Sequence, residues 1–260
     1  MPIDVDYKDL FKFLVCSKEN KECMTHRCAK YPKTSDDLRN YLYDILKDLE
    51  DGDKITFSQW TTTDRSMLVE QSEPVNDYVE LIEEQLQKLT VHSFTAKAQS
   101  RYLKSRKENL DSSQALFLGD FAENFKFVVQ DEVQGFHWNN LQCTLHPVVV
   151  YYKHENNLKN LSYCIISDDN SHDVATVFEV QRKVLADVKV KIPELKHVEY
   201  FTDGCAAQYK NRKNFTNLCH HKHDFDISAC WSFFATGHGK QPCDGLGGTI
   251  KRIVSKTSLQ

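Results

Sequence analysis

HVEYFTDGCAAQYKNRKNFTNLCHH, residues 197–221, decides the fold. HVEYFTD is a short apolar run closing on Asp203 and reads as a strand; GCAAQYKNRKNFTNLCHH reads as the helix that follows it. A strand running into a helix is the unit of a parallel sheet covered by helices. The alternation continues on both sides. SHDVATVFEVQRKVLADVKVKI (171–192) reads as a helix, with Ser171 as candidate N-cap and Val174, Val177, Val180 and Val184 on one face. ISACWSFFAT (227–236) reads as a strand and CDGLGGTIKRIVSK (243–256) as a helix. Upstream, ALFLGDFAENFKFVV (115–129), LHPVVVYYK (145–153) and LSYCIISDD (161–169) are three apolar runs with short connections, which suggests an antiparallel meander. From residue 111 the order is β-β-β-α-β-α-β-α, and the expected class is α/β: a mixed sheet flanked by helices.

Three aspartates stand out. Asp120 sits within the first apolar run, Asp203 closes the fourth, and Asp244 opens the last helix. If those elements pack together, three carboxylates meet at one edge of the sheet. Carboxylates are hard oxygen ligands suited to Mg²⁺ or Mn²⁺. Two such ions can activate a water or a 3′-hydroxyl and stabilise the leaving oxygen of a phosphodiester. Each aspartate also has an ordinary role: Asp203-Gly204 is a turn dipeptide, Asp244 a candidate N-cap, and Asp120 the end of a strand. Asp168, Asp169 and Asp173 read as caps at a strand end and a helix start. Glu123 is a candidate additional ligand, but it faces away from Asp120 if FAEN continues the strand.

Residues 1–34 carry Cys16, Cys23, His26 and Cys28, spaced C-x6-C-x2-H-x-C, a candidate Cys3His structural Zn²⁺ site in a short lysine-rich segment. Residues 35–110 read as a mostly helical accessory region. SDDLRNYLYDILKDLEDG has apolar Leu38, Leu42, Ile45 and Leu49 and stops at Gly52; KITFSQWTTTD reads as a strand; VNDYVELIEEQLQKL, after Pro74, is an amphipathic helix. The region ends in FTAKAQSRYLKSRKENL. If that stretch is helical, Lys97, Arg101 and Lys104 share a face, with Arg106 and Lys107 beside them. This basic segment is the best candidate for contact with DNA phosphates, against the ordinary reading of a solvated helix surface.

The 260 residues suffice for one large domain or a domain with a smaller companion. The net charge of −4 neither advertises nor excludes nucleic-acid binding, since local patches decide it. Nine cysteines behind an N-terminus that lacks the pattern of a secretory signal point to thiols rather than disulfides. No apolar run approaches a membrane span. Cys219, His220, His221, His223, Cys230, His238 and Cys243 offer a second zinc reading, although Cys230 lies in a strand where a buried thiol is normal. A cysteine nucleophile at Cys219 lacks an orienting partner. His137-Trp138 suits either stacking on a base or flanking a turn.

The element order is similar to that of the ribonuclease-H-like family of retroviral integrases and DD[E/D] transposases. In that family one acidic residue lies on the first strand, a second at the end of the fourth, and a third on the helix after the fifth. Asp120, Asp203 and Asp244 match those places. The phrases GDFAENF, QGFHWNNLQCTLHP, ISDDNSHD, YFTDGCAAQYKN, NFTNLCHHKHDF and FFATGHGKQPCDGLGGTIKR resemble a group of transposon-derived animal proteins and span about residues 115–253. The resemblance implies a cut-and-paste transposase core from residue 111 to 260, with two Mg²⁺ or Mn²⁺ ions at the three aspartates. It implies DNA cleavage and strand transfer, and hence DNA recombination in the nucleus. Lys240 would offset phosphate charge and His238 would carry a proton or touch a phosphate. Self-association is common in such enzymes. The third acidic residue is Asp rather than the commoner Glu. The chain stops barely past the helix carrying Asp244, so a copy truncated at its C-terminus is expected. The alternative is a domesticated or decayed, catalytically inactive fragment that binds DNA or protein.

Overall fold

The computed structural model describes residues 5–29, 36–49, 52–62, 64, 66–127, 141–235, 237 and 242–258. They divide into two compact units, residues 1–98 and 99–260. Among the described residues no helix is long and apolar enough to cross a membrane.

The first unit is mostly helical with one hairpin. It begins with α1 (Tyr7–Leu10), a short 3-10 turn (Phe11–Phe13) and α2 (Lys21–Met24). Asp6 and Asn20 cap the two helices, their side chains accepting from the Lys8 and Cys23 N–H groups. Next come α3 (Asp36–Ile45), the antiparallel strands β1 (Lys54–Thr62) and β2 (Ser66–Pro74), and the long α4 (Val75–Glu108). Leu10, Phe11, Leu38, Leu42, Tyr78, Val79 and Leu86 share one core. The periodicity placed α3's apolar stripe through Leu49, with Gly52 as its end. The helix instead stops at Ile45, and Leu46 enters the core while Leu49 is exposed.

The second unit takes over α4 from Gln99 onward and is α/β with a ribonuclease-H-like arrangement. Its elements are β3 (Gln114–Gly119), β4 (Ala122–Lys126), β5 (Gln142–His154), β6 (Asn157–Ser167), α5 (Val174–Lys191), β7 (His197–Thr202), α6 (Arg212–Phe225), β8 (Ser228–Phe233) and α7 (Pro242–Ser258). The sheet runs β6-β5-β3-β7-β8. The β6-β5 and β5-β3 pairs are antiparallel, and the β3-β7 and β7-β8 pairs parallel. Alternation splits each strand between two cores. Phe117, Val148, Val150, Val198 and Tyr200 meet Val180, Val184 and Val188 of α5. Leu116, Leu118, Val149 and Phe201 face the other way, onto Leu103, Leu110 and Cys243. The sequence set the core domain's start at residue 111. The contacts of Leu103, Arg106 and Leu110 attach the last turns of α4 to the sheet and move that start to Gln99.

The long first strand expected over 115–129 is broken. β3 pairs with β5 up to Gly119↔Val148, and β4 resumes on the same strand at Ala122↔Leu145. The cause lies on the partner. The Pro147 carbonyl accepts from the Asp120 N–H at 3.3 Å, but proline has no N–H to return the bond. Two helix starts also differ from the sequence reading. α5 is capped by Asp173, whose side chain accepts from the Thr176 N–H, not by Ser171. α6 begins at Arg212 rather than near Gly204, capped by Asn211. Residues 204–211 instead form a turn held by the Asn214 side-chain amide, which donates to the Gln208 and Tyr209 carbonyls.

Arg106, a candidate DNA contact in the sequence, is half-buried and paired within the fold. Its Nε donates to Glu199 Oε2 at 2.7 Å and its Nη2 to Gln114 Oε1 at 3.1 Å. Glu199 is 2% exposed, and its other oxygen accepts from the Ser232 hydroxyl at 3.0 Å. Removing one partner of such a pair leaves a charge stranded in the interior. Arg106→Ala is therefore expected to destabilise the chain by ~3–5 kcal/mol. Glu199→Gln in the same background should restore part of that loss, read by denaturant unfolding.

Candidate functional site

β3 and β7 are parallel neighbours with Leu118 opposite Phe201. Carried two residues on, that register sets Asp120 opposite Asp203, on backbones about 5 Å apart. Continued alternation would put both aspartates on the face of Leu118 and Phe201, whose side chains join the core shared with Cys243. Cys243 lies in the first turn of α7, 1% exposed, with its thiol donating to the Leu118 carbonyl at 3.4 Å. Asp244 is the next residue. The three carboxylates thus converge at the carboxyl ends of two parallel strands, where open α/β sheets bind their ligands. Gly247 lets α7 come this close: a Cβ there would lie 3.2 Å from Pro147 Cγ and 3.3 Å from Ala122 Cβ.

Burial, then the negative charges of Asp203 and Asp244, push the Asp120 carboxyl up to about 7, with a weaker opposing pull from the Phe121 N–H. Asp203 Oδ1 accepts from the Cys205 N–H at 3.0 Å. The end of β7 is fixed by Thr202, whose hydroxyl accepts from the Trp231 indole N–H at 3.0 Å. The aspartate oxygens do not all lie within 4.8 Å of one another; among the described residues only Cys16, Cys23 and Cys28 form such a group. The donor set is all-carboxylate and half-exposed to exposed, which fits hard divalent cations and not thiophilic ones.

An aromatic floor that the sequence reading missed lies beside Asp120. The Phe121 ring stacks on His172 at 4.3 Å and meets the edge of His146 at 4.5 Å. His146 is 2% exposed, and its Nε2 lies 2.9 Å from the Tyr209 hydroxyl. Burial holds the imidazole down at about 4, so it is neutral at physiological pH. The signal was a lone histidine within the apolar run LHPVVVYY, next to a proline.

Other expectations fare differently. Glu123 points to solvent, 3.8 Å from Lys251, and lies apart from the trio. The thiols of Cys16, Cys23 and Cys28 converge, but His26 does not join them. Its Nε2 lies 2.8 Å from the Thr90 hydroxyl and 3.1 Å from the Gln87 carbonyl oxygen on α4. The second zinc reading dissolves among the described residues. His221 is in the core, its Nδ1–H donating to the Ile227 carbonyl and its Nε2 accepting from the Tyr200 hydroxyl. Cys219 is exposed, Cys230 faces His197, and Cys243 in the first turn of α7 is packed against Leu118. In the basic segment, Lys97, Arg101 and Lys104 are exposed, Lys97 within the first unit and the other two within the second. Lys107 is taken up by the Tyr151 ring, its Nζ 3.7 Å from the centroid, and Arg106 by Glu199. His238, Lys240, His137 and Trp138 lie outside the described residues.

The raised Asp120 carboxyl has a measurable consequence. Its folded-state value of about 7 lies above the ordinary 3.8, so holding the proton favours the folded state. That contribution is complete below about pH 4 and is lost as the pH rises through 7. Asp120→Asn removes the loss. In metal-free buffer the variant should melt higher than the parent at pH 8, by a few degrees at ~2–4 °C per kcal/mol, and the gap should shrink at pH 4.5. An equal gap at both pH values would contradict a carboxylate under like-charge pressure.

Two family models match the chain. Residues 99–260 match the one described as domain of unknown function DUF8701, and residues 1–90 match the one described as domain of unknown function DUF8700. No curated protein and no solved structure matches. The first match starts where the second structural unit starts, covers more than half of the chain, and includes every residue of the aspartate site: the chain belongs to the DUF8701 family.

Proposed function

We propose that the chain is a metal-dependent phosphoryl-transfer enzyme acting on DNA, of the transposase and integrase kind, with Asp120, Asp203 and Asp244 as its metal-binding carboxylates. One observation carries the reading: the β3–β7 register sets Asp120 level with Asp203, and α7 brings Asp244 to the same strand ends. The charges of Asp203 and Asp244, with burial, push the Asp120 carboxyl up to about 7. Divalent cations relieve that like-charge pressure.

Asp120 and Asp203 would hold two Mg²⁺ or Mn²⁺ ions between them, and Asp244 would close the set from the helix side. When bound, the ions supply an activated water or 3′-hydroxyl and stabilisation of the leaving oxygen in strand cleavage and strand transfer. The protein positions the carboxylates at two strand ends and in the first turn of α7. His146, neutral beside Phe121, adds no competing positive charge. Arg101 and Lys104, exposed on the second unit's part of α4, are the candidates for phosphate contact. Nuclear localisation and self-association follow from this reading.

The test is nicking of supercoiled plasmid by the purified chain in Mg²⁺ and in Mn²⁺. Asp120→Asn and Asp203→Asn should each lower the rate by more than about 100-fold, beyond the 10–100-fold typical of outer-shell partners. Metal-independent nicking, or nicking that survives both substitutions, would refute the assignment. Absence of nicking in the parent chain, with Mn²⁺ bound at the aspartates, would move the reading to a non-catalytic DNA-binding relative.

A further inference from the structure

We infer that the first unit carries a Zn²⁺ site made by the three thiols of Cys16, Cys23 and Cys28, with His26 outside it and the fourth position on the solvent side. The sulfurs are the only donor group of this kind among the described residues, all within 4.8 Å of one another. Cys16 Sγ lies 2.9 Å from Cys23 Sγ and 3.6 Å from Cys28 Sγ. Four ligands at 2.3 Å around tetrahedral zinc place sulfurs ~3.8 Å apart, so the trio needs to spread only slightly to accept the ion. A disulfide would require about 2.05 Å and would strand the third thiol.

The backbone is arranged to deliver the three side chains. Cys16 follows the 3-10 turn Phe11–Phe13. Cys23 sits on α2, its N–H bound by the Asn20 cap at 3.2 Å. His26 then takes the left-handed conformation, φ 58°, and the Arg27 N–H closes back on the Glu22 carbonyl at 2.7 Å. That reversal returns Cys28 to the other two. A bulky residue rarely adopts a positive φ, and here it turns the chain while its ring is spent on Thr90 and Gln87. The helices involved are single turns, too short to hold themselves. Cys23 is buried and Cys16 exposed, so the trio is covered on one side and open on the other.

The donors are soft thiolates, which select zinc over the hard cations suited to the aspartates of the second unit. The two sites are therefore separable by spectroscopy. The full chain is purified under reducing conditions, stripped with chelator and titrated with Co²⁺, then Zn²⁺. One equivalent of Co²⁺ should give a thiolate-to-cobalt charge-transfer band that Zn²⁺ bleaches. His26→Ala should keep the band, Asp120→Asn should keep it, and Cys23→Ser or Cys28→Ser should lose it. If a cysteine variant fails to fold, the parent and His26→Ala spectra still decide. A reduced parent chain with no charge-transfer band overturns the site. A band lost in His26→Ala overturns the three-thiol assignment.

Discussion

Everything at the candidate site hangs on the parallel pairing of β3 with β7. The pairing is pinned by polar groups as well as apolar ones. On one face, Tyr200 gives its hydroxyl hydrogen to the buried His221. On the other, Glu199 meets Arg106 and Ser232. A slip of one residue would send Glu199 into the Val180–Val188 core and Tyr200 toward α4. It would bury an unpaired carboxylate, a cost of several kcal/mol. The same slip would carry Asp203 to the far face of the sheet. The polar pins that fix the register therefore also fix the site, although none of them lies in it.

Two carboxylates of this domain, buried Glu199 and half-exposed Asp120, sit in opposite electrostatic surroundings. Glu199 is neutralised within the protein by a guanidinium with forked geometry. Asp120 is instead under like-charge pressure: burial and the charges of Asp203 and Asp244 push its carboxyl up, and its own charge acts on the buried Tyr209 hydroxyl. The fold sets a guanidinium against Glu199, whereas the charges that act on Asp120 are those of Asp203 and Asp244.

Much of this was legible in the sequence, because apolar runs ending in aspartate announce strands whose last residue faces out. The strand and helix order followed from such runs, and the three aspartates of the proposal were singled out by their places along them. What was illegible depended on distant partners. Pro147 breaks a strand to which it does not belong. Arg106 looks like a surface cation until Glu199, far along the chain, is placed beside it. The clue was a glutamate in the middle of HVEYFT, where alternation leaves a charge facing the interior. His26 has a good zinc spacing, yet Thr90 and Gln87 on α4 compete for its ring. Asn214 holds the turn before α6, an effect invisible to helix periodicity because it acts through backbone carbonyls.

The choice of Asp at position 244 follows from the way α7 is seated. A glutamate would reach one methylene farther and tolerate a more distant helix. With aspartate, the helix start must come down to the strand ends, and two features bring it there. Cys243 is buried beside Leu118, tying the first turn to the strand that leads into Asp120. One turn later Gly247 removes the side chain that would hold the helix off Pro147 and Ala122. Glycine in a helix costs about 1 kcal/mol relative to alanine, so a sequence with glycines at 245, 247 and 248 looks at first like a weak helix. At Gly247 that cost is offset by close approach. Gly245 and Gly248 have open space around them, so contact explains neither. Pro147 is thus used twice: it ends the β3 pairing at Asp120, and its ring is the surface on which α7 rests.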